Sequence, residues 1–370
     1  MKRHLPFPLC LFLLFFATLL SASEPLRIAL YPYVPGLGHF EEALKQAWAA
    51  QGETREIQVV PYDYYVDPFP ENLDILPTDP LYLESYLAEG RLLPLPPEML
   101  QDQDFFPFAR QAGLREGRLY GVPAMTCASF LFYRPGDQAA QEAQTMAELL
   151  QKCGTPSGEG LLLPPGEGLY ASLESVATVS IFAAKLEKAL GSRQAALEEL
   201  KAMVAMGRPE QVQLWKEDDP SFREKAFAQG GGRFLYGYPE AAAHLTPEAR
   251  NSLQLKRMPQ ADHAYYVNLY SLSAKCPREK QADALRLLAL MTSPKVMEES
   301  IAPEGKPMQY LLPARPSILQ KLAHQDPFYA KLLAELQNPQ CTFFGLDKQA
   351  RETLRELGSL CQKSLGLDIQ

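Results

Sequence analysis

The sequence lacks the features that mark several common classes of function. No run of lysine and arginine interleaved with aromatic residues occurs, and the 370 residues carry a formal net charge of -8, which argues against a nucleic-acid partner. The 5 histidines are scattered without the paired spacing that a zinc site needs. No glycine-rich phosphate loop follows a predicted strand, because Gly230 to Gly232 precede a strand and more readily end a helix. We therefore expect no metal and no cofactor.

Long apolar runs are also missing beyond the N-terminus. The N-terminal run, Leu9 to Leu20, is uncharged, follows Lys2 and Arg3, and is too short to span a bilayer comfortably. Small residues at 21–23 stand where a signal peptidase cuts. We predict a signal peptide over residues 1–23, cleaved near Ser23, and a mature protein without a membrane anchor that works in the periplasm or is secreted.

Cysteine is scarce. Of the 6 cysteines, Cys10 leaves with the predicted signal, so an odd number remains in a compartment that favours disulfides. At least one thiol should therefore stay unpaired. Tyrosine is frequent instead, with 17 tyrosines against 2 tryptophans, and many cluster in short loops, as in ligand clefts with aromatic walls.

Short apolar strands alternate with helices over the first ninety or so residues. The predicted strands are Leu26 to Tyr31, Ile57 to Pro61 and Leu73 to Leu76, and the predicted helices are Phe40 to Ala50 and Leu81 to Ala88. This alternation predicts an α/β fold with a parallel sheet. Ligands bind at the carboxyl ends of strands in such sheets, which marks four residues as candidates: Tyr31, Tyr33, Asp63 and Asp79.

The remainder of the chain continues the mixture, and its length favours two lobes. Further strands are predicted over Ala128 to Tyr133, Arg233 to Tyr236 and Tyr265 to Ser273. Further helices are predicted over Thr145 to Lys152, Ser172 to Leu190, Arg193 to Met203, Ala282 to Met291 and Pro316 to Leu336.

Two residues could carry chemistry. Cys127 is predicted to lie after a loop and just before a strand, where a thiol could point into a cleft, although a buried structural cysteine is the more common case. Glu240 follows a predicted strand end, although a loop glutamate is usually a solvated charge. Together they make chemical sense, because a thiol reacts as the thiolate and a nearby carboxylate can take its proton.

The chain resembles thiaminase I, the thiamine-cleaving enzyme family built on a periplasmic-binding-protein fold. The resemblance covers nearly the whole mature chain, and its runs are collinear. They are Tyr31-Pro-Tyr-Val-Pro35, Leu73-Asp-Ile75 with Asp79 downstream, Leu92-Leu-Pro94, Tyr120-Gly-Val-Pro123, Cys127 before Phe130-Leu-Phe-Tyr-Arg134, Phe227-Ala-Gln-Gly230, Gly237-Tyr-Pro-Glu240 and Gln309-Tyr-Leu-Leu-Pro-Ala-Arg315.

The resemblance implies a two-lobed, class II periplasmic-binding-protein-like α/β fold with a cleft between the lobes. It places residues 24–133 and about 262–312 in the first lobe. The second lobe would contain about 134–261 and 313–370, with the C-terminal helices. The resemblance also implies that the protein is a monomer.

The resemblance also implies the roles of individual residues. Cys127 matches the family's nucleophile and Glu240 the carboxylate that activates it, while Asp79 matches a carboxylate that contacts the pyrimidine. The residues that fall at or near the substrate walls are Tyr31, Tyr33, Tyr236, Tyr238 and Tyr266. Where similar enzymes carry an aspartate, this chain has Asn268, which can accept a hydrogen bond but brings no charge.

The implied substrates are thiamine or a related aminopyrimidine and a nucleophilic co-substrate. The thiolate would add to the pyrimidine, the thiazole would leave, and an organic nucleophile would take its place. Because a catalytic thiol must stay free, we expect Cys127 to be unpaired and the other four cysteines to form at most two disulfides. Cys341 to Cys361 is a candidate local bridge.

Two other functions stay open at this point. The first is a non-catalytic binding protein for thiamine or a pyrimidine, because the fold is mainly used for binding. The second is an enzyme that acts on a different aminopyrimidine, with Asn268 as the sign of altered recognition. A receptor has no need for a thiol paired with a carboxylate, which favours the enzyme.

Overall fold

A computed structural model describes residues 24–32, 34, 36–64, 67–101, 104–153, 169–171, 176–206, 222–257 and 264–365. The predicted signal peptide lies outside this part of the chain. The strands are β1 (Leu26–Ile28), β2 (Ile57–Val59), β3 (Ile75–Thr78), β4 (Leu114–Arg115), β5 (Arg118–Leu119), β6 (Val122–Cys127), β7 (Phe130–Tyr133), β8 (Leu169–Ala171), β9 (Phe234–Gly237), β10 (Gln254–Lys256), β11 (Ala264–Leu272), β12 (Leu312–Pro313) and β13 (Thr342–Phe343).

The α-helices are α1 (Leu37–Ala50), α2 (Pro80–Ala88), α3 (Pro107–Ala112), α4 (Gln138–Glu142), α5 (Met146–Cys153), α6 (Val176–Leu190), α7 (Arg193–Met206), α8 (Phe222–Ala228), α9 (Pro247–Ser252), α10 (Arg278–Met291), α11 (Pro294–Ile301), α12 (Pro316–Gln325), α13 (Pro327–Leu336) and α14 (Ala350–Leu365). Two short 3₁₀ helices cover Pro97–Leu100 and Pro239–His244. None of the described helices has the length and apolar character needed to cross a membrane.

The larger sheet has seven strands in the order β12-β6-β11-β3-β1-β2, with β13 paired to the start of β11. Strands β1, β2 and β3 are parallel, as the alternating pattern predicts, whereas β11 runs antiparallel to both β3 and β6. All nine residues of β11 are buried, because both faces of this central strand are covered. The sheet therefore has a rigid centre made of β6, β11 and β3.

The smaller sheet has four strands in the order β10-β7-β9-β8. The chain leaves the larger sheet at Cys127, the last residue of β6, and enters the smaller sheet at Phe130, the first residue of β7. Only Ala128 and Ser129 lie between, and both are buried. Cys127 is thus at a junction of the two sheets. The lobe boundaries expected at 133 and 134 stay a prediction.

The local sequence explains how α2 begins directly after β3. Asp79 is the N-cap, and its Oδ1 accepts a hydrogen bond from the Leu81 backbone N–H at 2.8 Å. Pro80 occupies the first helical position, where its missing N–H costs nothing. This abrupt change from strand to helix places a buried carboxylate at the carboxyl end of β3.

Two predictions made from local pattern are wrong in detail. Cys127 does not follow a loop, because Val122–Cys127 is a strand whose Pro123 and Thr126 obscure the apolar pattern. The long helix predicted over Pro316 to Leu336 is two helices, since Asp326 caps the second one through a hydrogen bond from Phe328 N–H at 2.8 Å. Because β6 is not predicted, the sequence also gives no indication of the strand pairing that positions Cys127.

The candidate disulfide between Cys341 and Cys361 is not present, and none of the five described cysteines forms a disulfide. Cys341 packs against the core of the larger sheet, where its Sγ donates to the Glu335 carbonyl at 3.5 Å. Cys361 belongs to the separate core formed around the smaller sheet. The two thiols are therefore parts of different cores.

We expect the protein, unfolded without reductant, to expose all five of the described thiols. The physical reason is that the folded structure joins none of them, so none should be protected in the unfolded chain. Thiol titration in guanidinium chloride, with and without prior reduction, measures this directly. A count that rises on reduction would contradict the assignment.

Candidate active site

A narrow cavity, with about 10 Å³ of space open to a water molecule, lies where the two sheets meet. Its walls come from seven parts of the chain: the loops after β1 and β2, the end of β3, strands β6 and β11, and the segments before β12 and after β9. The lining residues are Tyr31, Tyr64, Asp79, Met125, Thr126, Cys127, Glu240, Tyr266, Asn268 and Leu311.

Strand register brings three of the lining residues onto one face of the larger sheet. In the antiparallel pair of β6 and β11, Cys127 is opposite Tyr266, and Met125 is opposite Asn268. Side chains two residues apart on a strand share a face, so Tyr266 and Asn268 point the same way as Cys127. A bulge follows Asn268 and shifts the register beyond it.

The loops after the parallel strands supply an aromatic wall. The rings of Tyr31 and Tyr64 stack at a centroid distance of 6.2 Å and an interplanar angle of 23°. The Tyr31 backbone N–H donates to the hydroxyl of the buried Tyr270 at 3.2 Å, which anchors the loop to β11. Asp79 adds a buried carboxylate to the same side of the cavity.

Glu240 reaches the cavity from the smaller sheet. Strand β9 ends at Gly237, which is opposite Phe130 of β7, and the chain then turns into the 3₁₀ helix Pro239–His244. Helix α8 packs against this 3₁₀ helix. The Oε2 atom of Glu240 is buried and makes no hydrogen bond within the described protein. One carboxylate oxygen is therefore available to a partner inside the cavity.

The electrostatics of Cys127 and Glu240 are coupled. Burial, followed by the charge of Glu224, raises the pKa of Glu240 to about 7. Burial raises the pKa of the Cys127 thiol well above its ordinary value, and the charge of Glu240 raises it further. The sulfur thus holds its proton while Glu240 is ionised, and it becomes easier to ionise when Glu240 is neutral.

Two buried cations oppose this effect. The charges of Lys185 and Arg257 lower the pKa of Cys127. Lys185 is 1% exposed, and its Nζ lies 4.6 Å from the centroid of the Tyr266 ring. The Arg257 guanidinium lies 4.4 Å from the Tyr265 ring, and its Nη2 donates to the Ala264 carbonyl at 3.0 Å. Both cations are therefore next to the strand that faces Cys127.

Asn268 adds a buried side-chain amide to the cavity. It is 6% exposed, and neither its Nδ2 nor its Oδ1 has a hydrogen-bond partner within the described protein. Leaving both polar atoms of a buried amide unsatisfied costs a few kcal/mol, roughly 1–3 for each group. Such a cost is typical of side chains that a ligand satisfies.

The structure brings together six of the residues marked by the sequence: Tyr31, Asp79, Cys127, Glu240, Tyr266 and Asn268. Three others lie elsewhere. Tyr236 packs edge-to-face on Phe182 in the core of the smaller sheet, at 5.4 Å. Tyr238 is partly buried against the larger core. Asp63 belongs to a turn, where its N–H donates to Asp67 at 2.8 Å, and Tyr33 is outside the described residues.

Sequence reasoning missed four lining residues: Tyr64, Met125, Thr126 and Leu311. Met125 and Thr126 belong to the strand that went unrecognised. Leu311 follows Tyr310, whose φ of 56° is unusual for a residue with a side chain. The Tyr310 hydroxyl donates to Asp326 at 2.8 Å and its ring stacks on Tyr329, which holds this turn in place. Of these four residues, only Tyr64 had a signal in the sequence, namely the repeated tyrosines around it.

The described residues contain no group of three or more histidine, cysteine or acidic side chains that could hold a metal ion. The chemistry available in the cavity is that of a thiol, a carboxyl group of raised pKa and a set of tyrosines. This combination suits nucleophilic attack on an electron-poor carbon.

We expect Lys185→Met to slow the alkylation of Cys127 by iodoacetamide near neutral pH and to move its pH midpoint upward. The reason is that the lysine charge lowers the pKa of the thiol. Peptide mass spectrometry would follow Cys127 specifically. Lys188→Met, on the same helix but against Phe344 rather than Tyr266, is the matched control. Equal pH profiles for the two variants would contradict this electrostatic role.

The chain is similar to known proteins in both sequence and structure. Residues 128–261 match the family model described as the Thiaminase-1 domain. Thiaminase-1 of Paenibacillus thiaminolyticus is 28% identical over 371 residues, which cover 94% of this chain and 90% of that protein.

The structural matches agree. The structure of Clostridium botulinum thiaminase I in complex with thiamin is similar with a TM-score of 0.85 and 26% identity, covering 92% of this chain and 100% of that one. A solute-binding protein of an ABC transporter from Agrobacterium radiobacter K84, in complex with ribitol, has the same fold, with a TM-score of 0.71 at 16% identity, covering 93% of this chain and 94% of that one. The predicted two-lobed, periplasmic-binding-protein-like α/β fold is confirmed, and the chain is similar to thiaminase I over most of its length and matches the Thiaminase-1 domain over residues 128–261.

Proposed function

We propose that the protein is a thiamine-degrading enzyme of the thiaminase I type. It would transfer the pyrimidinylmethyl group of thiamine from the thiazole to an organic nucleophile. The observation that carries this proposal is the presence of Cys127 and Glu240 in one cavity, each with a pKa that depends on burial. The relatives named above support thiamine as the substrate.

In the first step, Glu240 accepts the proton of Cys127 and the thiolate attacks C6 of the pyrimidine. A new S–C6 bond forms, and the electron pair of the C6–N1 double bond moves onto N1. Transfer of the proton also moves the negative charge from the carboxylate to the sulfur, where Lys185 and Arg257 stabilise it. The number of buried charges does not change in this transfer.

In the second step, the electron pair returns through the ring toward C5. The bond between the methylene carbon and the thiazolium nitrogen breaks, and the thiazole leaves as a neutral molecule with the bonding pair. An exocyclic methylene remains on the ring, which is still bonded to Cys127. Attack of the organic nucleophile on this methylene reverses the electron flow, breaks the S–C6 bond and releases the thiolate.

The cavity suits a cationic substrate. Asp79 and Glu240 are carboxyl groups, and Tyr31, Tyr64 and Tyr266 present aromatic rings to the same space. Aromatic faces and carboxylates both attract a cation such as a thiazolium ring. Asp79 is also held rigid as the cap of α2, so it can contact the pyrimidine at a fixed place.

A binding protein for thiamine or another pyrimidine is the alternative that the similarity to solute-binding proteins keeps open. A receptor would gain nothing from a thiol next to a carboxyl group whose pKa is about 7. We also propose that the mature protein begins near residue 24, acts as a monomer, and works after export across the membrane.

We expect the purified protein to cleave thiamine when pyridine or aniline is supplied, and Cys127→Ser to abolish turnover without loss of the folded state. Serine lacks the acidity and nucleophilicity of the thiol. Chromatography of the products and circular dichroism of the variant measure the two effects. Cys153→Ser is the matched control, because Cys153 lies outside the cavity. Thiamine that binds but stays intact would favour the receptor.

We expect the rate to rise with pH through an apparent pKa near that of Glu240, about 7, because the base must be ionised to accept a proton. Glu240→Gln should lower kcat roughly 10²- to 10⁴-fold. Glu224→Gln should move the acid limb to lower pH, because the charge of Glu224 raises the pKa of Glu240. Glu248→Gln, on α9, is the control. An acid limb that stays in place in Glu224→Gln would contradict the coupling.

A further inference from the structure

The amide of Asn268 is presented to the cavity in an unusual state. Its two polar atoms are buried, and neither makes a hydrogen bond within the described protein. Asp79, which lines the same cavity, uses its Oδ1 to accept from Leu81 N–H and does not bond to this amide. The carboxamide is therefore held in place by its strand, while no described protein group determines which atom is the donor side and which the acceptor side.

The register relates this amide to the nucleophile. Cys127 is opposite Tyr266, and Asn268 is the next residue on the same face of β11, which makes Cys127 and Asn268 diagonal neighbours. Such neighbours have Cα atoms about 7–8 Å apart. Because both side chains leave the same face, a six-membered ring that is bonded to the Cys127 sulfur at one carbon can direct its opposite edge toward the Asn268 amide, where a hydrogen bond of about 2.9 Å would form.

A carboxamide can bind two complementary edges of a pyrimidine. With the amide in one orientation, Oδ1 accepts from a 4-amino group and Nδ2 donates to N3. With the amide turned over, Nδ2 donates to a 4-oxo group and Oδ1 accepts from N3–H. A carboxylate at the same place could only accept. It would pair with both donors of a 4-amino ring that is protonated at N3, whereas on the second edge it would accept from N3–H but face the 4-oxo oxygen and be repelled by it.

We propose that Asn268 is a specificity-determining residue that allows this enzyme to process both 4-amino and 4-oxo pyrimidines, because its amide can turn to match either edge. This inference rests on the proposed function and deepens it. It assigns to the site a wider substrate class: thiazolium compounds whose pyrimidinylmethyl group carries either an amino or an oxo group at position 4 of the pyrimidine.

The chemistry is feasible for the oxo ring as well. The thiolate adds to C6, and the pair of the C5–C6 double bond moves through C4 onto the oxo oxygen as an enolate. The enolate pair then forms the C5–methylene double bond, and the thiazole leaves with the pair of its C–N bond. The nucleophile adds to the methylene, and the thiolate leaves as in the amino case. No further reactant is needed beyond the nucleophile.

The test compares kcat/KM for thiamine and for its 4-oxo analogue, with aniline as the nucleophile, in the native protein, in Asn268→Asp and in Asn268→Ala. In the native protein we expect the two values to agree within about tenfold. Asn268→Asp should raise the preference for thiamine roughly 10- to 100-fold over native, since the wrong donor and acceptor pattern is penalised. Asn268→Ala should lower both values and leave their ratio near the native one.

The outcomes separate this inference from the proposed function. A native protein that cleaves thiamine but discriminates strongly against the oxo analogue overturns the inference and leaves the proposed function intact. An unchanged ratio in Asn268→Asp overturns it too. Failure to cleave thiamine at all overturns the proposed function itself. Should Asn268→Asp fail to fold, the native and Asn268→Ala ratios decide, because a native preference for thiamine that disappears in the alanine variant also contradicts the inference.

Discussion

The proposed chemistry depends on one negative charge that Glu240 and Cys127 share. Each group is buried enough that its neutral form is favoured, and ionised Glu240 makes ionisation of the thiol harder. Two buried anions side by side would be very unfavourable, whereas moving a proton between the two groups only relocates the charge. In the proposed mechanism, the pair therefore acts as one acid–base unit rather than as two residues.

The fold creates this unit by placing the two groups on different sheets. Cys127 ends a strand of the larger sheet, and Glu240 follows a strand of the smaller one, opposite the point where the chain crosses between them. A solute-binding fold already has a cavity at such a place, so the additional requirements for chemistry are few. In the proposed mechanism, a thiol at the crossing and a carboxyl group after β9 supply the nucleophile and the base.

The sequence predicts the strands with a clear apolar pattern, but not the interrupted strand β6 or the turns that bring Tyr64 and Leu311 to the cavity. The parallel strands β1, β2 and β3 have clear apolar patterns, and Tyr31 and Asp79 were found because residues after such strands line ligand sites. Strand β6 was missed because Pro123 and Thr126 interrupt its pattern. Leu311 and Tyr64 reach the cavity through turns held by distant contacts, such as that of Tyr310 with Asp326, which no local pattern contains. Cys127 and Glu240 gained their weight from family resemblance, since spacing alone does not distinguish them from structural residues.

The placement of the cations reconciles two opposing demands. A thiolate needs positive charge nearby, but a positively charged substrate would be repelled by a lysine or arginine in the cavity wall. Neither cation is among the lining residues: Lys185 lies against the ring of Tyr266, and Arg257 lies against Tyr265, the neighbouring residue of the strand. From these places the two positive charges still act on the sulfur: each lowers the pKa of the Cys127 thiol, against the larger effect of burial. The Tyr266 ring, meanwhile, presents an aromatic surface to the cavity, and the electrons of such a surface attract a cation. In the proposed mechanism, the same tyrosine thus allows the protein to stabilise an anion on Cys127 and to admit a cationic substrate.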